Sequence, residues 1–137
     1  MKELTVQACL ENIAQVTGWL DEALEELGCP LKTQMQIDVA ADEMIANVSQ
    51  YAYPEGKGSV TIRFEFAEET GIASITFIDQ GIPFNPLERN DPDTTLDAQA
   101  RAIGGLGIFL VKKTMDDMTY QYKDGHNIVC VHKKIRA

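Results

Sequence analysis

The sequence predicts an α+β sandwich in which helices cover one face of a mixed or mostly antiparallel sheet. Two long stretches near the N-terminus carry apolar residues at three- and four-residue steps, as amphipathic helices do. Later stretches alternate apolar and polar residues and come in pairs joined by short turns, which indicates antiparallel hairpins. Because the helices segregate from the strands instead of alternating with them, an α+β fold is favoured over a parallel one.

Composition indicates one ordinary globular domain over residues 1–137, with 45% hydrophobic and 24% charged residues. A formal net charge of −9 argues against nucleic-acid binding, which usually needs a basic patch. No apolar run approaches the ~20 residues of a membrane span, and the first residues lack the build of a signal peptide. We therefore expect a cytoplasmic protein without a membrane partner, whose three separated cysteines are reduced thiols.

The first half of the chain predicts one strand and two helices. Residues 4–6 are expected to form a short edge strand, and residues 11–27 an amphipathic helix that Gly28 and Pro30 end. A second helix is predicted over residues 32–52, with a stripe of apolar residues as its buried face.

Two polar residues lie at the rim of that second stripe. Glu43 and Asn47 are four residues apart, so both side chains point from one face of the helix. A solvated surface pair is the ordinary interpretation. A carboxylate and an amide in this arrangement could also serve as a general base and as an oxygen ligand for a metal ion.

A hairpin follows, with strands predicted over residues 59–66 and 72–78. The second strand runs directly into Asp79-Gln80-Gly81. This pattern is common in simple turns. Its functional alternative is a carboxylate at the mouth of a sheet that accepts a hydrogen bond from an exocyclic amine, with room for a flat ring at Gly81.

Residues 85–104 show no clear period and lie between the Asp79 turn and a glycine cluster, where a lid over a ligand would be expected. Gly104, Gly105 and Gly107 then open a third helix, predicted over residues 106–115. A glycine-rich start of a helix presents clustered N–H groups and the positive end of the helix dipole, which suits a phosphate group. A tight turn before a helix is the equally open alternative.

The chain ends in a second hairpin, predicted over residues 118–122 and 127–135. Its turn contains Asp124-Gly125, a dipeptide that favours two-residue hairpin turns.

Three of these motifs, in this order, resemble the ATP-binding domain shared by DNA gyrase, heat-shock chaperones, histidine kinases and mismatch-repair ATPases, the GHKL or Bergerat-type superfamily. They are EMIAN at residues 43–47, DQG at residues 79–81 and GGLG at residues 104–107. Within the superfamily the chain is most similar to the bacterial anti-sigma-factor serine/threonine kinases. The resemblance implies a two-layer α/β sandwich of the Bergerat type.

The resemblance also implies a role for each motif in binding ATP and Mg²⁺. Asn47 would hold Mg²⁺ against the ATP phosphates, and Glu43 would be the general base. Asp79 would read the adenine amino group, with Gly81 beneath the ring. The phosphates would be lined by Gly104, Gly105, Leu106 and Gly107.

The implied function is a kinase that phosphorylates an anti-anti-sigma antagonist of the STAS type and sequesters a sigma factor, with a homodimer suggested by relatives. The alternative is a catalytically silent nucleotide-binding module that sequesters a partner. Three positions depart from the pattern of many relatives. Tyr51 replaces a histidine, Pro83 replaces a later glycine, and no hydroxyl is found near Ile128 on the last strand.

Overall fold

The computed structural model describes residues 1–53, 57–88 and 105–136. These residues form three α-helices and five β-strands. The helices are α1 (Ile13–Glu26), α2 (Leu31–Asn47) and α3 (Gly105–Thr114). The strands are β1 (Lys2–Gln7), β2 (Ser59–Ala67), β3 (Ile72–Asp79), β4 (Asp117–Lys123) and β5 (His126–Lys134).

The five strands form one sheet in the order β1-β2-β3-β5-β4, and all four pairings are antiparallel. The prediction of a mostly antiparallel sheet is therefore confirmed. The predicted edge strand is also confirmed, although β1 extends over Lys2–Gln7 because the whole strand pairs with β2. β5 lies between β3 and β4, so the β4–β5 hairpin joins the β2–β3 hairpin through the pairing of β5 with β3.

The helices cover one face of this sheet. Alternate residues of β3 are buried, including Ala73, Ile75 and Phe77, and they join a single hydrophobic core with residues of all three helices. Leu24 of α1 and Ile45 of α2 are fully buried in that core. This arrangement confirms the two-layer α+β architecture expected from the sequence.

The second helix ends earlier than predicted. α2 stops at Asn47, and Val48–Ala52 form a π-helical turn instead of one more α-helical stretch. The apolar periodicity that predicted a helix to residue 52 does not distinguish these two backbone forms, since Val48 and Ala52 are buried in either case. The wider turn brings the Ala52 carbonyl within 2.9 Å of the Ile82 N–H, so it fixes the chain beyond β3.

The β4–β5 hairpin has the predicted turn. Asp124 and Gly125 both have positive φ, 54° and 79°, as a type I′ turn requires. Of the predicted lid, only residues 85–88 are described, and Pro86–Glu88 form a 3-10 turn. Gly104 and the rest of the lid lie outside the described residues. Among the described helices, none is long and apolar enough to cross a membrane.

Candidate active site

Glu43 and Asn47 occupy the last turn of α2. The Asn47 side chain is buried, and its Nδ2 donates a 2.8 Å hydrogen bond to the backbone carbonyl of Glu43. Within the described residues, no hydrogen bond is donated to the Asn47 Oδ1. The amide nitrogen is thus committed to the helix, while the amide oxygen remains available as a ligand.

The first turn of α3 lies directly against the Glu43 carboxylate. A Cβ atom placed on Gly107 would overlap the Glu43 side chain, so a glycine is needed for α2 and α3 to approach this closely. The structure therefore brings Glu43, Asn47 and the third glycine of the cluster into one group. The sequence shows the apolar period of each helix, but it does not show that α2 and α3 pack against each other at Glu43 and Gly107.

Burial is the main influence on the Glu43 carboxyl group. It raises the pKa of Glu43 above the ordinary value, and the neighbouring Asp42 charge raises it further. A carboxylate with a raised pKa is a stronger proton acceptor, which suits a general base that operates near neutral pH.

Asp79 lies at the end of β3 with its side chain buried. Its Oδ1 accepts hydrogen bonds from the Gly81 N–H and from the Asn127 Nδ2, both at 2.9 Å. Burial raises the pKa of Asp79, although these two hydrogen bonds and the nearby His126 act in the opposite direction. Donors fixed on one oxygen orient the carboxyl group, and the described residues donate no hydrogen bond to the other oxygen.

Asn127 was missed by the sequence analysis. Its Nδ2 also donates to the Ile82 carbonyl at 2.8 Å. Its Oδ1 accepts bonds from the Phe84 N–H at 3.0 Å and from the Tyr120 hydroxyl at 2.6 Å. One buried amide thus ties β3, the following turn and both strands of the last hairpin together. It lies next to the position where the sequence offered no hydroxyl group.

Gly81 has a steric reason to be glycine. A Cβ atom there would collide with the Ala52 carbonyl at the end of the π-helical turn. The predicted place of Gly81 beneath an adenine ring stays a prediction. Gly81 also lines a cleft of about 480 Å³, whose other walls include Tyr53, Lys57, Pro83 and Tyr122. Glu43, Asn47 and Asp79 do not line this cleft.

Tyr51, which stands where many relatives carry a histidine, packs against another aromatic side chain. Tyr51 stacks on Phe84 with ring centroids 4.7 Å apart and an interplanar angle of 13°. Nearby, the Tyr53 hydroxyl donates to the Ser59 carbonyl and accepts from the Gln80 N–H, both at 2.8 Å. The two tyrosines brace the chain on either side of the Asp79 turn.

The predicted residues thus form two groups joined by the π-helical turn. Glu43, Asn47 and Gly107 make up one group, and Asp79 and Gly81 make up the other. Gly105 begins α3, one residue before the predicted start, and the backbone of Leu106 follows it in the helix. Gly104 lies outside the described residues, so its predicted role stays untested.

The Glu43 carboxylate lies against the first turn of a glycine-opened helix. One turn further along α2, the Asn47 amide oxygen accepts no hydrogen bond from the described residues, and donor groups of these kinds suit a metal–phosphate ligand. This arrangement, on a two-layer α+β sandwich, defines the class of a nucleotide-binding domain. The family profile described as "Histidine kinase-like ATPase domain" matches residues 6–133. The chain belongs to this family of ATPase domains, which confirms the resemblance to the GHKL superfamily.

Individual relatives agree with this assignment. The serine-protein kinase RsbW of Listeria monocytogenes is 30% identical over 125 residues, which cover 88% of this chain and 72% of that protein. The RsbU and RsbW domains of Rv1364c from Mycobacterium tuberculosis superpose with a TM-score of 0.66 at 17% identity, covering 100% of this chain and 34% of that one. A chain of the SiaB–SiaC complex from Pseudomonas aeruginosa gives a TM-score of 0.60 at 15% identity, covering 95% and 88%. The structural likenesses show a shared fold.

Proposed function

We propose that this protein is an ATP-dependent serine/threonine kinase that acts as an anti-sigma factor. In this proposal it phosphorylates a STAS-type anti-anti-sigma antagonist and sequesters a sigma factor in the cytoplasm. Membership of the histidine kinase-like ATPase domain family supports the use of ATP. The similarity to a protein named as a serine-protein kinase supports transfer to a hydroxyl group.

The contact between Glu43 and Gly107 carries the proposal. It sets a carboxylate with a raised pKa at the N-terminal turn of α3, where helix N–H groups would meet phosphate oxygens. Among the described residues, none donates a hydrogen bond to the Glu43 carboxylate, so its oxygens are not committed to another group there. A proton acceptor beside a phosphate site is what transfer to a hydroxyl requires.

The chemistry follows from this placement. Glu43 accepts the proton of a serine or threonine hydroxyl as that oxygen forms a bond to the γ-phosphorus of ATP. The bond between the γ-phosphorus and the β–γ bridging oxygen breaks, and ADP leaves with the electron pair. Since phosphoryl transfer depends mainly on positioning and charge neutralisation, one base and a preorganised anion site suffice on the protein side.

Mg²⁺ fits the residues present, and Asn47 is the residue that would hold it. The Asn47 Oδ1 accepts no hydrogen bond from any described residue, and the amide is fixed in place by the hydrogen bond of its Nδ2 to the helix backbone. Bound Mg²⁺ would supply charge neutralisation for the phosphates, and it commonly keeps water and phosphate oxygens as its remaining ligands. At the far end of the π-helical turn, Asp79 would accept a hydrogen bond from the adenine amino group, held in orientation by Asn127.

A phosphotransfer assay tests the proposal. The purified chain, labelled ATP·Mg and a purified STAS-domain protein from the same genome are mixed, and labelled protein is measured. We expect Glu43→Gln to lower the transfer rate at least ~100-fold, because it removes the proton acceptor, while ATP still binds. Glu22→Gln makes the same chemical change at an exposed position of α1 and serves as the matched control.

Two outcomes would contradict the proposal. Transfer by Glu43→Gln at the wild-type rate would show that Glu43 is not the base. If the wild-type protein binds ATP·Mg but labels none of the STAS-domain proteins, and Glu43→Gln leaves partner binding unchanged, the silent regulatory module replaces the kinase. The proposed homodimer is tested separately by light scattering, with the edge of β1 that pairs with no described strand as a candidate contact.

A further inference from the structure

An apolar groove runs along the outer surface of α2 and α3. It has a volume of about 510 Å³ and is lined by Leu31, Met35 and Val39 of α2 and by Leu110 of α3. Met35 is 58% exposed and Leu110 is 43% exposed. Of the eight large apolar side chains that are exposed in the described part of the chain, four lie in this groove, so they form a patch and are not scattered singly.

The groove leads to the proposed base. Val39 precedes Glu43 by four residues on α2, so the two side chains lie on one helix face about 6 Å apart along the axis. Leu110 follows Gly107 by three residues on α3, and Gly107 contacts the Glu43 carboxylate. Both helices therefore place a groove residue one turn away from the reacting end of Glu43.

The single charged residue among the described lining residues of the groove is a lysine, on a chain whose net charge is negative. Lys32 lines the groove, and the remaining polar lining residues among those described, Gln36 and Thr114, are neutral. On a chain of net charge −9, an apolar surface with a lysine and no described carboxylate in its lining favours a partner whose apolar contact is bordered by acidic side chains.

We propose that this groove docks the protein that accepts the phosphoryl group, through an apolar segment of that protein bordered by acidic side chains. The inference rests on the proposed kinase function and adds where the acceptor binds. Docking beside Glu43 presents the acceptor hydroxyl to the base, so binding energy from the groove is used to position the reacting group.

Steady-state kinetics with varied acceptor test the inference. The probe is the STAS-domain protein that the wild-type chain phosphorylates, at saturating ATP·Mg. We expect Met35→Glu and Leu110→Glu each to raise the KM for the acceptor at least about tenfold, equivalent to 1.4 kcal/mol. The ATP affinity should stay at the wild-type value. Leu10→Glu, at a 64% exposed apolar residue outside the groove, is the matched control and should change neither quantity.

A charge reversal gives a second, independent measurement. Lys32→Glu should raise the acceptor KM and weaken its dependence on salt, whereas Lys123→Glu, on exposed β4, should not. A wild-type KM in Met35→Glu, Leu110→Glu and Lys32→Glu would overturn the docking site while leaving the kinase intact. Loss of self-association in the groove variants with an unchanged KM would instead make the groove a contact between two copies. Absence of transfer by the wild-type protein would refute the kinase itself.

Discussion

Three aspartates lie between α1 and α2, and their burial predicts that the stability of this protein depends on pH. Asp21 of α1 and Asp38 and Asp42 of α2 each have a buried carboxylate oxygen that no described residue satisfies with a hydrogen bond. Burial raises the pKa of Asp38 to about 8, assisted by a hydrogen bond with Asp21 and by the charges of Asp21 and Asp42. We predict that Asp38→Asn stabilises the folded protein above neutral pH.

The sign and size follow from the two pKa values of Asp38. The folded state binds the proton more tightly than the unfolded state, whose pKa is near 3.8, so the stabilising contribution of protonation is complete below pH 3.8 and is lost as the pH rises through about 8. Converted in full, this difference in pKa would amount to roughly 6 kcal/mol. Because Asp38 is only partly buried, solvent screening reduces the expected effect to ~1–2 kcal/mol.

Urea unfolding at several pH values provides the assay. Asparagine keeps the shape of the side chain, carries no charge and can donate to the unsatisfied oxygens of Asp21 and Asp42. The variant should therefore exceed the wild type by ~1–2 kcal/mol near pH 9, and the gain should shrink towards pH 4. Glu69→Gln, at an exposed turn, is the control and should give no pH-dependent gain. If the free energies of unfolding of wild type and Asp38→Asn differed by the same amount at all pH values, the raised pKa of Asp38 in the folded state would be refuted.

Two substitutions test the site geometry. Gly107→Val should lower ATP affinity by excluding phosphate. Because its side chain displaces the Glu43 carboxylate, it should also slow transfer by ~100-fold. Gly18→Val, on the open surface of α1, is the control, and unchanged ATP binding and transfer in a folded Gly107→Val would reduce the motif to a turn. Asn127→Leu should lower the free energy of unfolding by about 3 kcal/mol, since it leaves several buried polar groups unpaired. Urea unfolding measures this, with exposed Gln121→Leu as control, and an undiminished stability would refute the role of the amide.

The fold was predictable because its local signals agree with one another. Apolar residues at three- and four-residue steps predict α1 and α2, and alternating apolar and polar residues predict β2 and β3. The Asp124-Gly125 dipeptide predicts the observed hairpin turn. The π-helical turn could not be predicted, since burial of Val48 and Ala52 has the same sequence pattern in either helix form. Only the packing of Ala52 against the chain after β3 distinguishes the two.

The site was predictable in its residue types and not in its contacts. Glu43 and Asn47 could be paired because they lie on one helix, where a four-residue spacing fixes their relation. Asn127 was missed because its function arises from register: β3 pairs with β5, and this pairing sets Asn127 directly opposite Asp79. No local pattern encodes a pairing between strands that lie far apart in the chain, so a buried asparagine in β5 is indistinguishable from an ordinary turn-flanking one.

Helix α2 contributes residues to the acidic cluster, to the proposed active site and to the apolar groove. One face carries Asp38 and Asp42 towards α1. Another carries the exposed side chains of Met35 and Val39 and, one turn further on, the Glu43 carboxylate that lies against α3. Asp42 belongs to the acidic cluster and also raises the pKa of Glu43. α2 thus buries Asp42 next to the proposed base, where its charge favours proton acceptance by Glu43 while the burial of its own carboxyl group costs stability.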